Sequence, residues 1–185
     1  MVPCRFETFG LHAAFEGIFP FKHVGRQVAQ DCQIFRAMVF ADAAAHRREH
    51  CIEVQLPFLQ RVLPDASVVP IVAGDVEDET VASALETFVA EASTLLVASS
   101  DLSHYHPYEE AKTLDASTAR TIERLEPSLT HEAACGATAI NGLLHVARRH
   151  GMTCRTLDLR TSGDTAGGQH RREVVGYGAF AFHAN

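Results

Sequence analysis

Hydrophobic and polar positions are weakly patterned over residues 1–45 and become regular afterwards. Between Ile52 and Leu63 two periods compete. Ile52, Val54, Leu56 and Phe58 alternate as in a strand, whereas Ile52, Leu56, Leu59 and Leu63 recur as on one helix face. Pro57 would disrupt the interior of either element. The length of the segment and its apolar pattern beyond Phe58 favour a helix. The run from Ser67 to Val72 reads as a short buried strand, made edge-like or irregular by Pro70. Val81, Leu85, Phe88 and Val89 predict a helix over residues 79–91. Residues 94–99 read as a second buried strand that stops at Ser100-Asp101-Leu102-Ser103-His104. Amphipathic helices follow over 109–125 and 133–150, the latter stopped by Gly151. Residues 154–159 and 174–182 read as strands, with Gly176 and Gly178 at points of close packing. Strands alternating with helices, and apolar without alternation, predict an α/β fold with a mixed or mostly parallel central sheet flanked by helices. In such sheets ligands bind beyond the carboxyl ends of the strands, which directs attention to the loop after Ser99.

That loop offers a carboxylate, an imidazole and two hydroxyls. Asp101 and His104 could hold a metal or serve as acid and base. The structural alternative is an Asx-type turn closing the strand. Cys135-Gly136 stands near a helix start, where a cysteine can act as thiolate ligand or nucleophile. Its structural alternative is a small buried residue filling a helix–sheet contact. His46-Arg47-Arg48-Glu49-His50 matches H-x-x-E-H, a zinc-peptidase helix pattern, but also reads as a charged surface segment. Thr161-Ser162-Gly163-Asp164 reads as a tight turn near the same sheet edge.

Composition narrows the field. The chain has 185 residues, 46% hydrophobic and 21% charged, which suits a single folded domain over residues 1–185. A net charge of −7 argues against a bulk nucleic-acid footprint. There is no apolar run of membrane-spanning length and no signal-peptide pattern, so a cytoplasmic protein with no membrane partner is expected. Five widely spaced cysteines fit a reducing compartment better than a disulfide framework. Phosphate-loop, dinucleotide and hydrolase-elbow motifs are absent from the sequence.

Four ordered blocks together resemble the Memo family, protein B of the AmmeMemoRadiSam system. They are Arg48 to Gln60, similar to R-E-H-S-I-E-V-Q-L-P-F-L-Q with Cys51 in place of serine; Ser99 to Tyr105; Cys135-Gly136 with the helix that follows; and Ser162-Gly163-Asp164 followed by Val174 to Tyr177. The resemblance implies a fold similar to the catalytic subunit of class III extradiol dioxygenases, whose sites hold non-haem Fe(II). It carries Asp101 and His104 over as site residues with catalytic roles, and Cys135 as the site cysteine. His12 is the metal-ligand candidate from the N-terminal segment Gly10-Leu11-His12. The implied ligand set is His12, Cys135, Asp101 and His104, and the implied cofactor is a divalent metal, Fe(II) or Cu.

The family's usual opening segment, P-H-A-G-Y-x-Y-S-G, has no counterpart here, so an N-terminally shortened member is expected, lacking one ligand histidine. Three functions stay open at this point. The first is a metal- or small-ligand-binding pocket related to non-haem iron dioxygenases, redox-active or vestigial. The second is a non-catalytic interaction component of an AmmeMemoRadiSam-type system, with AMMECR1-like and radical-SAM partner proteins and a peptide or small-molecule ligand. The third is a zinc peptidase built on His46, Glu49 and His50.

Overall fold

Pro57 decides the ambiguous segment. The chain turns over residues 51–55 and then forms helix α1, Leu56–Val62, with Pro57 in its first turn. A proline there forfeits no intrahelical bond, because the first amides of a helix have no partner in any case.

The computed structural model describes residues 10–11, 46–47, 49–66, 68–89, 94–165 and 171–184. Two compact units divide the chain, Met1–Val76 with Glu86–Leu95, and Glu77–Leu85 with Leu96–Asn185. In the first, strand β1 (Gly10–Leu11) pairs antiparallel with β2 (Ile71–Val72). Among the described residues of the apolar run ending at Val72, the last two join this ladder, immediately after Pro70.

The second unit holds the longer elements. Helix α2, Asp78–Val89, belongs to this unit through Leu85 and begins with Asp78 and Glu79, which favour the positive end of the helix dipole. Strand β3, His104–His106, leads into α3, Tyr108–Glu123. Helix α4, Ala137–Arg149, ends on Arg148 and Arg149, and Gly151 takes the left-handed conformation (φ 62°) beyond it. Strand β4, Thr153–Thr161, is followed by one helical turn, α5 (Ser162–Thr165), and by β5, Val174–His183.

The sheet of this unit has the order β3-β5-β4, and both pairings are antiparallel. This corrects the expectation of a mixed or mostly parallel sheet. The connection from β4 to β5 is a short return rather than the long crossover a parallel pair requires. The sequence concealed this because the outward positions of β5 carry Tyr177, Ala179 and Ala181, so an alternating strand reads as continuously apolar. Residues 94–99 are a second correction. They lie outside the described strands, and Leu95 and Val97 are exposed.

Inward positions build the core. Leu102, Ile122, Leu125, Leu129, Ala134, Ala137, Ile140, Leu144 and Ala147 form one cluster, and Cys154, Leu159, Phe180 and Phe182 of the sheet pack on it. Buried Asn141 is fully engaged: its Oδ1 accepts from Leu129 N (3.0 Å), and its Nδ2 donates to Leu129 O (3.0 Å) and Asp78 Oδ2 (2.9 Å). These bonds tie α4 to the loop before it and to the start of α2.

Candidate functional site

The loop after Ser99 is pinned at both ends. At its start, the Gly136 amide at the head of α4 donates to Ser100 Oγ (2.8 Å), and the Cys135 amide donates to Asp101 O (3.3 Å). Ser100 Oγ donates in turn to Asp101 O (2.6 Å). A Cβ on residue 136 would stand 2.9 Å from Ser100 Cβ, so this approach requires glycine. At its end, Leu102 N donates to Gly176 O (2.9 Å) and Gly176 N to Ser103 O (2.8 Å), which fastens the loop to β5. From below, Asp115 Oδ1 accepts the Ser103 amide at 3.0 Å.

Asp101, His104 and Cys135 are thus gathered around one short loop, although they are 34 residues apart at the extremes. His104 Nε2 lies 3.5 Å from Asp101 Oδ2. Cys135 Sγ lies 3.5 Å from Ser100 Oγ and 3.8 Å from Asp101 O. His131 Nδ1 bonds the Cys135 carbonyl (3.1 Å) and its Nε2 meets Thr138 Oγ1 (3.3 Å), so this imidazole braces the turn before α4. Among the described residues no three His, Cys, Asp or Glu side chains are placed to hold one metal ion. Of the four donors that the resemblance implies, Asp101, His104 and Cys135 are described. His12 lies outside the described residues.

The other candidates separate. His46 occupies a helical position, but Glu49 and His50 do not, and the Glu49 amide turns back to His46 O (3.2 Å). The shared helix face that a zinc peptidase needs is not formed. Asp164 belongs to a neighbouring cluster: it accepts from Tyr108 Oη (2.6 Å), Thr161 N (2.8 Å) and Thr161 Oγ1 (3.0 Å). The Tyr108 hydrogen bond, with the Thr161 amide, holds the Asp164 carboxyl below the usual carboxylate range, and the same bond raises the Tyr108 hydroxyl.

Asp115 is the site residue that sequence reasoning missed. It is 1% exposed and shares the buried face of α3 with Ala111, Thr118, Ala119 and Ile122. A carboxylate in core-facing register was the available signal, because charged residues are almost never fully buried without a partner.

A family model described as Memo-like protein matches residues 23–181, a span that includes Asp101, His104 and Cys135 but not His12. The chain belongs to the Memo family. A MEMO1 family protein of Archaeoglobus fulgidus is 35% identical over 153 residues, covering 76% of this chain and 58% of the relative. One from Thermotoga maritima is 39% identical over 147 residues, covering 74% and 51%. One from Desulfurococcus amylolyticus is 32% identical over 174 residues, covering 86% and 59%. The chain therefore spans between half and three fifths of the length of these Memo-family relatives. Among the described residues no helix is long and apolar enough to cross a membrane.

Proposed function

We propose that this Memo-family chain is a non-catalytic binding component of an AmmeMemoRadiSam-type system, using the loop at Asp101–His104 to receive a peptide or small ligand. One observation supports the reading: Asp101, His104 and Cys135 are brought together on one short loop, and among the described residues no three His, Cys, Asp or Glu side chains are placed to hold one metal ion. A first-row divalent ion held selectively needs a converging donor set of the right geometry. The loop is nevertheless rigidly built, fixed by α4, β5 and α3, which is what a binding surface requires.

Co-purification with AMMECR1-like and radical-SAM proteins tests this reading. Association that survives Cys135→Ala and Asp101→Asn is the expected result. Lack of association, together with substrate turnover that Cys135→Ala abolishes, would favour the dioxygenase-like alternative.

A further inference from the structure

Two non-glycine residues among those described have positive φ, Leu125 (54°) and Tyr105 (60°). Leu125 follows α3 and ends it, the ordinary place for a left-handed residue. Tyr105 has no such reason. It sits in an irregularity of the β3–β5 ladder between His104 and His106, and it is 73% exposed. A left-handed conformation costs any residue with a Cβ. Bulges beside sites re-aim side chains, and strain held there points to use.

What the strain presents is an aromatic ring next to acceptors. The Tyr105 ring centroid lies 5.9 Å from that of His104, tilted by 46°. His104 is paired with Asp101 Oδ2, and Asp101 is half exposed, its Oδ1 without a hydrogen-bond partner among the described residues. On the other side His106 Nδ1 meets Glu110 Oε1 at 2.9 Å. A partly buried tyrosine three residues on shows the same chemistry. Tyr108 has Lys112 Nζ 5.0 Å and Arg171 Cζ 4.4 Å from its ring centroid. Among the described residues no cation stands over Tyr105.

We propose that Tyr105, with Asp101 beside it, is the contact surface for an organic cation, an ammonium or guanidinium group stacked on the ring and bonded to Asp101 Oδ1. This names the ligand class of the binding site proposed above and rests on that reading. The ring quadrupole attracts a cation, and the carboxylate supplies the acceptor its N–H groups need.

Titration followed by amide NMR tests it, with two probes that separate the sources: an amidated Gly-Arg-Gly peptide and spermidine. The expected result is saturable shifts confined to Asp101–His106, with a Kd of about 1–10 mM for the preferred probe. Tyr105→Phe should stay within about twofold of wild type, and Tyr105→Gly and Asp101→Asn should each weaken binding about fivefold or more. Tyr105→Gly should also melt about 2–4 °C higher, because glycine adopts this φ without strain. Absence of localised shifts with both probes would overturn the proposal, as would wild-type binding by Tyr105→Gly or a melting point below that of wild type. Neither result touches association with the protein partners, so the broader binding reading would stand or fall separately.

Discussion

Gly176→Ala probes the joint that holds the site together. Gly176 lies on the inner face of β5, directly against Asp115, and a Cβ there would collide with the carboxylate. Asp115 cannot swing aside freely, because its Oδ1 accepts the buried Ser103 amide at 3.0 Å. If the carboxylate moves, the buried Ser103 amide is left unpaired, at about 1–3 kcal/mol. If it stays, the overpacked strand costs about 1–3 kcal/mol. Against either stands a gain of about 0.5–1 kcal/mol from replacing a strand glycine with alanine. Collision outweighs propensity, leaving a net loss of about 1–2 kcal/mol. For a chain of this size that is a fall in Tm of about 3–6 °C. Urea and thermal denaturation read it directly. Adding Asp115→Ala removes the colliding group, so the double variant should be more stable than the sum of the singles by about 1 kcal/mol or more. A Gly176→Ala chain as stable as wild type, or strict additivity in the cycle, would refute the packing argument.

Further outcomes follow from the same contacts. Ser100→Ala removes both the acceptor of the Gly136 amide and the donor to Asp101 O; denaturation should show a loss of about 1–2 kcal/mol, and Cys135 should react faster with an aromatic disulfide. Burial, with Glu123 adding to it, pushes the Cys154 thiol up to about 11. Alkylation at pH 8 should therefore be about 100-fold slower at Cys154 than at an ordinary thiol, as peptide mass mapping would reveal. Asp164 has a lowered folded-state pKa, so its contribution is present above the unfolded value of 3.8 and is lost as pH falls below it. Asp164→Asn should accordingly lower Tm at pH 7, and the difference from wild type should narrow as pH falls below 3.8.

The helices of the second unit were legible because each has an apolar stripe with end signals. The expectation over 109–125 meets Tyr108–Glu123, and that over 133–150 meets Ala137–Arg149. Strand positions at 154–159 and 174–182 were legible for the same reason, but their direction was not. Pairing direction depends on the connection and on the partner, and the small apolar residues on the outer face of β5 erased the alternation that marks an antiparallel strand. The Ser99–His104 loop and Cys135 were found because the four ordered blocks carried them. Their mutual engagement was not legible, because it depends on Ser100 Oγ lying between the Gly136 amide and the Asp101 carbonyl. Asp115 is one of many polar residues in its helix, although its register with Ala111 and Ile122 marks it as buried.

On the reading proposed above, Asp101, His104 and Cys135 serve a binding loop rather than a metal centre. Anaerobic calorimetric titration with Fe(II), run on wild type and Cys135→Ala, tests it most directly. The account predicts equally weak, non-saturating heats for both. Stoichiometric binding by the wild type that Cys135→Ala abolishes would contradict it.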